Sequence, residues 1–362
     1  MAYPLSMDCG IVGLPGVGKT ALFCALTGCQ TDASGAARPH VGVAAVPDPR
    51  LELISGHITS KKVTPASIRF VDIPGLAASG ASGGAPAGRA AAANLLLAHI
   101  RQVDALCHVV RCFDGTDPAR DIDALETELI IADMDLAENA RDRAARAARG
   151  GDADARARTA VLEKALAALD EGHPVRRVKD WTEPDRVKIR SYGLITAKPV
   201  LYVANVGEDD LAGEEEAARL VCAQAEDKGG GAVVVCAKLE AELAELDEAD
   251  RTELLESMGL TEPAIGPLAR AAYRLLGLAS FYTANDKEIR AWAIPVDATA
   301  PQAAGAVHSD MARGFIRAEC YHVDDLEHYQ SEKAIREAGK LRTEGKHYRM
   351  QDGDVVRFLF NV

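Results

Sequence analysis

The sequence predicts an α/β fold with a mostly parallel sheet, into which a pair of antiparallel helices is inserted and after which a separate α+β domain follows. Three observations support this prediction. Short apolar runs alternate with helical patterns in residues 8–118 and 197–278, residues 119–196 are rich in Ala, Leu, Glu and Arg at helical spacing, and residues 279–362 return to short strand-like runs. We therefore expect a two-part α/β domain, a helical insertion and a C-terminal domain within these limits.

The composition is that of an ordinary globular protein. The chain has 362 residues, of which 48% are hydrophobic and 5% aromatic, and this favours aliphatic cores. A net charge of −13 argues against nonspecific wrapping of nucleic acid, so DNA binding is not expected and any RNA contact must be local. The eight cysteines lack paired spacing, which favours free thiols in a reducing cytosol. Without a signal-like N-terminus or a membrane-spanning apolar run, we expect a cytoplasmic protein with no membrane contact.

The first predicted strand, residues 9–12, leads into a glycine-rich loop. Residues 13–20 read GLPGVGKT and fit G-x-x-x-x-G-K-[ST] without mismatch, and a helical pattern follows. Glycines let backbone N–H groups close around an anion, and the helix N-terminus adds partial positive charge. Lys19 is expected at the β- and γ-phosphates of ATP or GTP, and the Thr20 hydroxyl at Mg²⁺. The predicted phosphate-binding residues here are Gly13, Pro15, Gly16, Val17, Gly18, Lys19, Thr20 and Ala21.

A second part of the phosphate site is predicted after strands at residues 41–46 and 67–72. The latter strand ends in D-x-x-G, in which Asp72 would hold Mg²⁺ through water and the Gly75 N–H would meet the γ-phosphate. Residues 77–93 are nearly all Gly, Ala and Ser, typical of a mobile second switch or of a simple linker. A helix at 94–103 and a strand at 105–112 follow, and His108 inside that strand is better explained as a structural histidine than as a catalytic base.

The helical insertion begins with an amphipathic pattern over residues 121–149, turns at 150–152 and returns as a second helix. Its arginines, interleaved with alanines, favour a solvated face over an RNA-binding edge. These arginines are Arg141, Arg143, Arg146 and Arg149.

The sheet resumes at residues 199–205 and 232–238, where both strands end at the edge at which a base would lie. The predicted base-binding residues are Asn205, Val206, Glu208, Ala237 and Lys238. A helix at 264–277 precedes the C-terminal domain, which is predicted to combine strands at 288–294, 315–318 and 355–360 with helices at 303–312 and 326–339. A basic loop offers a modest surface for anions, and it contains Lys340, Arg342, Lys346 and Arg349.

Several of these segments together resemble the YchF/Obg-like ATPase family of translation-factor-type P-loop NTPases; among them are GIVGLPGVGKT, FVDIPGL, HVVRCF, YVANVGED and DGDVVRFLFNV. The resemblance extends from about residue 8 to residue 362. It implies a G domain interrupted by an α-helical coiled coil, a C-terminal β-grasp (TGS) domain, and binding to the ribosome or other translation machinery. It also implies that ATP is preferred to GTP, because residues 205–208 read NVGE where a guanine-selective loop has N-K-x-D.

The chain departs from the family at three places. Ala36 stands where the family's first switch has a threonine at the Mg²⁺ and γ-phosphate site, and residues 114–120, DGTDPAR, replace the loop with the family's candidate catalytic histidine. Leu76 occupies the position of the water-orienting glutamine of Ras-like enzymes, and the family's second-switch glutamate is missing. The catalytic residue is therefore unknown, with Arg89 as a candidate arginine finger.

These departures predict that binding survives while turnover is low. We expect a slow NTPase switch, with a hydrolysis-deficient interaction module or an accessory protein of a specialised pathway as the alternatives.

Overall fold

The computed structural model describes residues 7–29, 39–74 and 86–361, and within the helix that begins at Pro86 it describes side chains from residue 94 onward. The chain divides into two compact units. The larger unit comprises residues 8–42 and 70–271, and the smaller unit comprises residues 43–69 with those from Ala272 onward. None of the helices in the described ranges combines the length and apolarity needed to span a lipid bilayer.

The strands, in chain order, are β1 Asp8–Val12, β2 His40–Ala45, β3 Val63–Thr64, β4 Ser67–Asp72, β5 Ala105–Cys112, β6 Val200–Val206, β7 Gly231–Val235, β8 Leu278–Ala284, β9 Ile289–Pro295, β10 Phe315–His322, β11 Arg342–Glu344 and β12 Asp354–Phe360. The α-helices are α1 Lys19–Thr27, α2 Pro49–His57, α3 Pro86–Gln102, α4 Pro118–Ala148, α5 Ala153–Asp170, α6 Glu183–Tyr192, α7 Glu216–Asp227, α8 Ala237–Glu245, α9 Glu248–Ser257, α10 Ile265–Leu275, α11 Ala300–Val307, α12 Ser309–Arg313, α13 Val323–Tyr329 and α14 Glu332–Glu337.

The first sheet has the strand order β2-β4-β1-β5-β6-β7. Its strands β1, β5, β6 and β7 are parallel neighbours, so their carboxyl ends lie along one edge. One face is packed by a core in which Leu106 of β5 and Tyr202 of β6 join Ile122 of α4. The predicted α/β fold with a parallel sheet is confirmed, and its topology places the ligand edge where β1 and β5 end.

The helical insertion is a pair of neighbouring helices, α4 and α5, joined by a short turn. Asp117 caps α4 by accepting the Arg120 N–H, and Asp152 caps α5 in the same way. The two helices pack through a seam that becomes alanine-rich away from the sheet, with Ala137 and Leu162 fully buried. The connection of four residues makes the pair antiparallel, as predicted; supercoiling of the two helices stays a prediction.

The smaller unit contains a mixed sheet in the order β11-β10-β12-β8-β9-β3. Strand β10 is antiparallel to β11 and β12, whereas β12 is parallel to β8. Helix α11 packs its alanines against this sheet in a core with Phe281, Ile294 and Cys320. The predicted α+β character of this part of the chain is confirmed, whereas its assignment as a β-grasp (TGS) domain stays a prediction.

Residues 43–69 complete the smaller unit, which the sequence analysis did not anticipate. Strand β3 pairs in parallel with β9, and Asp48 at the start of α2 accepts a hydrogen bond from the Tyr282 hydroxyl. Arg50 forms an ion pair with Asp352 at 2.7 Å. The predicted domain limits at residues 8–118, 119–196, 197–278 and 279–362 stay predictions.

Four predicted elements are corrected. Helix α3 begins at Pro86, so residues 86–93 are helical and do not belong to a mobile segment or linker; proline at the first position and the alanines after it favour that start. Strand β7 ends at Val235, and Ala237 and Lys238 begin α8. The predicted helix at 303–312 is broken at His308, and that at 326–339 is broken at Gln330, which has a φ of 64°.

A buried ionic cluster fixes the base of α4 to the sheet. Glu126 accepts hydrogen bonds from Arg176 and from the Tyr202 hydroxyl, and its other oxygen lies 2.9 Å from the Lys228 ammonium. Burial acts to raise the pKa of Glu126, but Arg176 and the other two donors outweigh it, so the pKa is lowered. The Glu126 and Arg176 side chains are 7% and 6% exposed, so each needs the other's charge.

Glu126→Ala should destabilise the protein by about 3–5 kcal/mol, because it leaves the Arg176 guanidinium buried without its counter-ion. Urea denaturation monitored by circular dichroism measures the loss. Asp135→Ala on the same helix is the control, since Asp135 is exposed and should change stability by less than about 0.5 kcal/mol. Equal effects of the two substitutions would contradict a special role for the cluster.

Candidate nucleotide-binding site

The loop between β1 and α1 lies so close to neighbouring strands that it requires glycine. A Cβ on Gly13, which has a φ of 152°, would lie 2.5 Å from the Val109 carbonyl oxygen of β5. Gly18 has a φ of 94°, and a Cβ there would collide with the Asn205 amide. Neither position has room for a side chain, so both must be glycine. Glycine also permits the backbone conformation in which the N–H groups of the loop can surround a phosphate. The strand, loop and helix that the sequence predicts are all present.

Lys19 lies across this loop at the first position of α1. Its ammonium donates hydrogen bonds to the carbonyls of Gly13 at 3.1 Å and Leu14 at 2.7 Å. Burial lowers the pKa of Lys19 to about 8, and the nearby Asp72 carboxylate only partly opposes this effect. A buried ammonium with a lowered pKa, held only by neutral carbonyls, gains from an added negative charge. The site is therefore electrostatically matched to an anion.

Thr20 and Asp72 form the part of the site that fits a divalent cation. The Thr20 hydroxyl donates to Asp72 Oδ2 at 2.9 Å. The other carboxylate oxygen, Oδ1, is buried and has no hydrogen-bond partner among the described residues. Hydroxyl and carboxylate oxygens are the ligands that Mg²⁺ prefers, and an unsatisfied buried carboxylate oxygen is favourable for a cation or its water. The predicted metal residues thus lie together and fit Mg²⁺.

Asn205 connects the phosphate loop to the predicted base-binding segment. Its Nδ2 donates to the Val17 carbonyl at 2.8 Å, and its Oδ1 accepts the Ala237 N–H at 2.9 Å. The residue is 4% exposed. One N–H and one lone pair of the amide remain for another partner. The structure therefore gives Asn205 a role in positioning two loops, and its predicted contact with the base stays a prediction.

The other predicted base-binding residues flank Asn205 or lie at the start of α8. Val206 is buried at the end of β6, whereas the exposed Glu208 and Lys238 form an ion pair at 2.8 Å. Such exposed pairs contribute little stability. The pair nevertheless ties the segment after β6 to the first turn of α8, the two segments predicted to enclose a base.

Arg111 is a residue of this edge that the sequence analysis did not select. It pairs in register with Asn205 on the neighbouring strand β6, so both side chains lie on the same sheet face. Its Nε is buried without a hydrogen-bond partner among the described residues, and its guanidinium lies 5.9 Å from the centre of the Phe113 ring. The feature of the sequence that could have indicated Arg111 is a charged residue near the end of an otherwise apolar strand.

Other predicted residues lie elsewhere or outside the described residues. His108 is 3% exposed and packs beside Tyr202, with ring centres 5.4 Å apart; burial lowers its pKa to about 4. It is a neutral core residue. Ala36, Gly75, Leu76 and residues 77–85 are outside the described residues, as is the Arg89 side chain, although its backbone belongs to α3.

Known proteins match this architecture over its full length. A family model described as 50S ribosome-binding GTPase matches residues 8–141, and the C-terminal model of YchF GTPases, described as a protein of unknown function, matches residues 278–361. The Ribosome-binding ATPase YchF of Pasteurella multocida is 43% identical over 371 residues, covering 99% of this chain and all of that protein.

Two further comparisons agree. The protein of the same name from Bacillus subtilis is 40% identical, again over 99% of this chain and all of that protein. The solved structure of the Schizosaccharomyces pombe YchF GTPase has a TM-score of 0.85 at 29% identity and covers 98% of both chains. With full-length relatives at this identity, and with the phosphate loop, the inserted helices and the C-terminal sheet in the same order, the chain belongs to the YchF family.

Proposed function

We propose that this chain is a Mg²⁺-dependent nucleoside-triphosphate-binding protein that hydrolyses ATP slowly and acts on the ribosome in the cytoplasm. One observation carries the nucleotide part of the proposal: Lys19, Thr20 and Asp72 meet at the phosphate loop, with a buried carboxylate oxygen free for a cation. The ribosome is included in the proposal because the full-length relatives are named ribosome-binding ATPases.

The phosphate-binding residues would act mainly by positioning and charge compensation. The backbone N–H groups of residues 13–20 surround the phosphates, and the Lys19 ammonium neutralises their charge. Thr20 and Asp72 would hold Mg²⁺, which would act as a Lewis acid that compensates the negative charge of the phosphates. The predicted Gly75 N–H contact to the γ-phosphate completes this proposal.

The proposed preference for ATP rests on the segment after β6. A guanine-selective loop presents an aspartate to the guanine N1–H and N2–H₂ groups, whereas here the position is Glu208, whose carboxylate is already paired with Lys238. The Asn205 amide has one donor and one acceptor left for a base. Neither feature specifically favours guanine.

The proposed low rate rests on the connection between β5 and α4. This connection is a compact turn in which the Thr116 hydroxyl donates to the Arg111 and Phe113 carbonyls and Asp117 caps α4. It contains no histidine, unlike the family's loop at this position. The same observation supports the second candidate function, a module that binds nucleotide and partner without hydrolysis.

ATP affinity should fall about tenfold between pH 7 and pH 9. In the free protein Lys19 has a pKa of about 8, so above that pH binding must first recruit a proton, whereas bound phosphate holds the ammonium charged. Titration calorimetry at both pH values measures this. Lys19→Arg should remove the pH dependence because a guanidinium stays charged, and Lys19→Ala should abolish binding. A pH-independent wild type would contradict the proposed role.

In competition assays ATP should bind more tightly than GTP. Glu208→Asp should shift the preference toward GTP, because it restores the aspartate of a guanine-selective loop and releases the Lys238 pair. Glu245→Asp, an exposed substitution on α8, is the matched control and should leave the ratio unchanged. A wild-type preference for GTP of about tenfold or more, equivalent to about 1.4 kcal/mol, would overturn the proposed base selectivity.

Intrinsic hydrolysis should be slower than about one per minute at saturating ATP, well below the enzyme median of about 10 s⁻¹, because Leu76 and residues 114–120 stand where related enzymes have the group that orients the attacking water. Single-turnover cleavage of labelled ATP measures the rate. Arg89→Ala should lower it further if Arg89 is the arginine finger. Brisk hydrolysis unaffected by Arg89→Ala would show that another residue orients the water.

A further inference from the structure

Residues 141–158 form the far end of the helix pair, the hairpin tip. This segment combines arginines with small residues. It contains six arginines against three acidic residues, although the whole chain has a net charge of −13. Helix α4 has 31 residues, so the tip begins about 35 Å from the start of the helix and extends to its end at about 46 Å. Positive charge is therefore concentrated at the end of α4 that is remote from the sheet.

The three carboxylates of the tip are already engaged. Asp142 pairs with Arg141 at 2.9 Å, and Asp154 pairs with Arg158. Asp152 accepts the backbone N–H groups of Asp154 and Ala155 as the cap of α5. No tip carboxylate is left to neutralise the remaining arginines.

Four exposed arginines remain without an acidic partner among the described residues: Arg143, Arg146, Arg149 and Arg156. Arg146 donates only to the Asp142 carbonyl, and no hydrogen bond or ion pair joins the other three guanidiniums to the described residues. The first three are spaced at i, i+3 and i+6, within about 9 Å along α4, and Arg156 follows on α5. Guanidiniums at such spacings can contact successive phosphates of one strand.

The packing of the tip keeps these side chains accessible. Ala155 is 2% exposed, and the α4 residues that pack against the core between the helices nearest the tip, Ala140 and Ala144, are also small, so these buried positions leave the arginines on the outer surface. Arginine without a local counter-ion, presented on a slender scaffold, is typical of phosphate-backbone recognition rather than of apolar protein contact. The overall negative charge of the chain requires such contact to be local.

We propose that the hairpin tip is an RNA-docking surface whose four unpaired arginines bind the phosphate backbone of ribosomal RNA. The proposal rests on the proposed ribosome association and names the part of the chain that makes the contact. The contact is independent of base sequence and strongly dependent on salt, because each bound phosphate releases counter-ions.

The test compares the full-length protein with a variant in which the four arginines are replaced by glutamine, which retains helix propensity. Binding to purified ribosomal RNA is measured by filter binding over a salt series, and binding to ribosomes by sedimentation with a nonhydrolysable ATP analogue. We expect the RNA Kd to rise about tenfold or more and the salt slope to fall by about 3.

The matched control replaces four exposed basic residues elsewhere with glutamine: Lys179, Arg186, Arg190 and Arg219. It changes the net charge equally and should leave both measurements near wild type, and unchanged ATP binding shows that each variant is folded. If the wild-type protein sediments with ribosomes and the tip variant binds ribosomes and RNA equally well, the tip is not the docking surface.

Two other outcomes are equally decisive. If the tip variant no longer sediments with ribosomes but binds RNA with unchanged affinity, the tip contacts a ribosomal protein, and the RNA proposal is overturned. A wild type that binds neither ribosomes nor RNA would overturn the proposed ribosome association itself.

Discussion

The close approach of the phosphate loop to the ends of β5 and β6 is the constraint on which the nucleotide site depends. Gly13 lies against the backbone carbonyl of Val109, and Gly18 lies against the side-chain amide of Asn205. Asn205 then holds the loop to the start of α8 through two hydrogen bonds. The segments predicted to bind the phosphates and the base are thus held together by the fold itself, and such preorganisation lowers the entropic cost of binding.

The sequence predicted those parts of the site in which chemistry and chain order coincide. The phosphate loop needs its residues consecutively, and β4 ends at Asp72 as predicted, next to β1 in the sheet. Arg111 and Asn205 are far apart in sequence and become neighbours only through the register of β5 with β6, which no local pattern encodes. The Asn205 bridge to Val17 was missed for the same reason.

The fold shows the same difference between elements that local sequence predicts and strand pairings that depend on residues distant in the chain. Periodicity found the long helices and most strands, but not the pairing of the two-residue strand β3 with β9, since a strand that short has no detectable alternation. The alanine-rich segment before residue 94 suggested mobility because it offers few anchors, yet alanine is also the best helix former, and α3 begins at Pro86. Alanine-rich composition alone does not distinguish a mobile segment from a helix.

Arginines at the two ends of the helical insertion lie in opposite environments, one buried and the others exposed. At the base of α4, Arg176 is buried against Glu126, and Lys228 completes a cluster that resists rotation of the helix. Five residues separate helix α4 from β5, the strand that carries Arg111 and contacts the phosphate loop through Val109. A tilt of about 5° at this clamped base would displace the tip by about 4 Å, a distance comparable to a phosphate contact. A helix fixed at its base beside the phosphate loop and ending in unpaired arginines therefore provides a lever between the two proposed sites, in which a small rotation at the base displaces the tip without any rearrangement inside the hairpin.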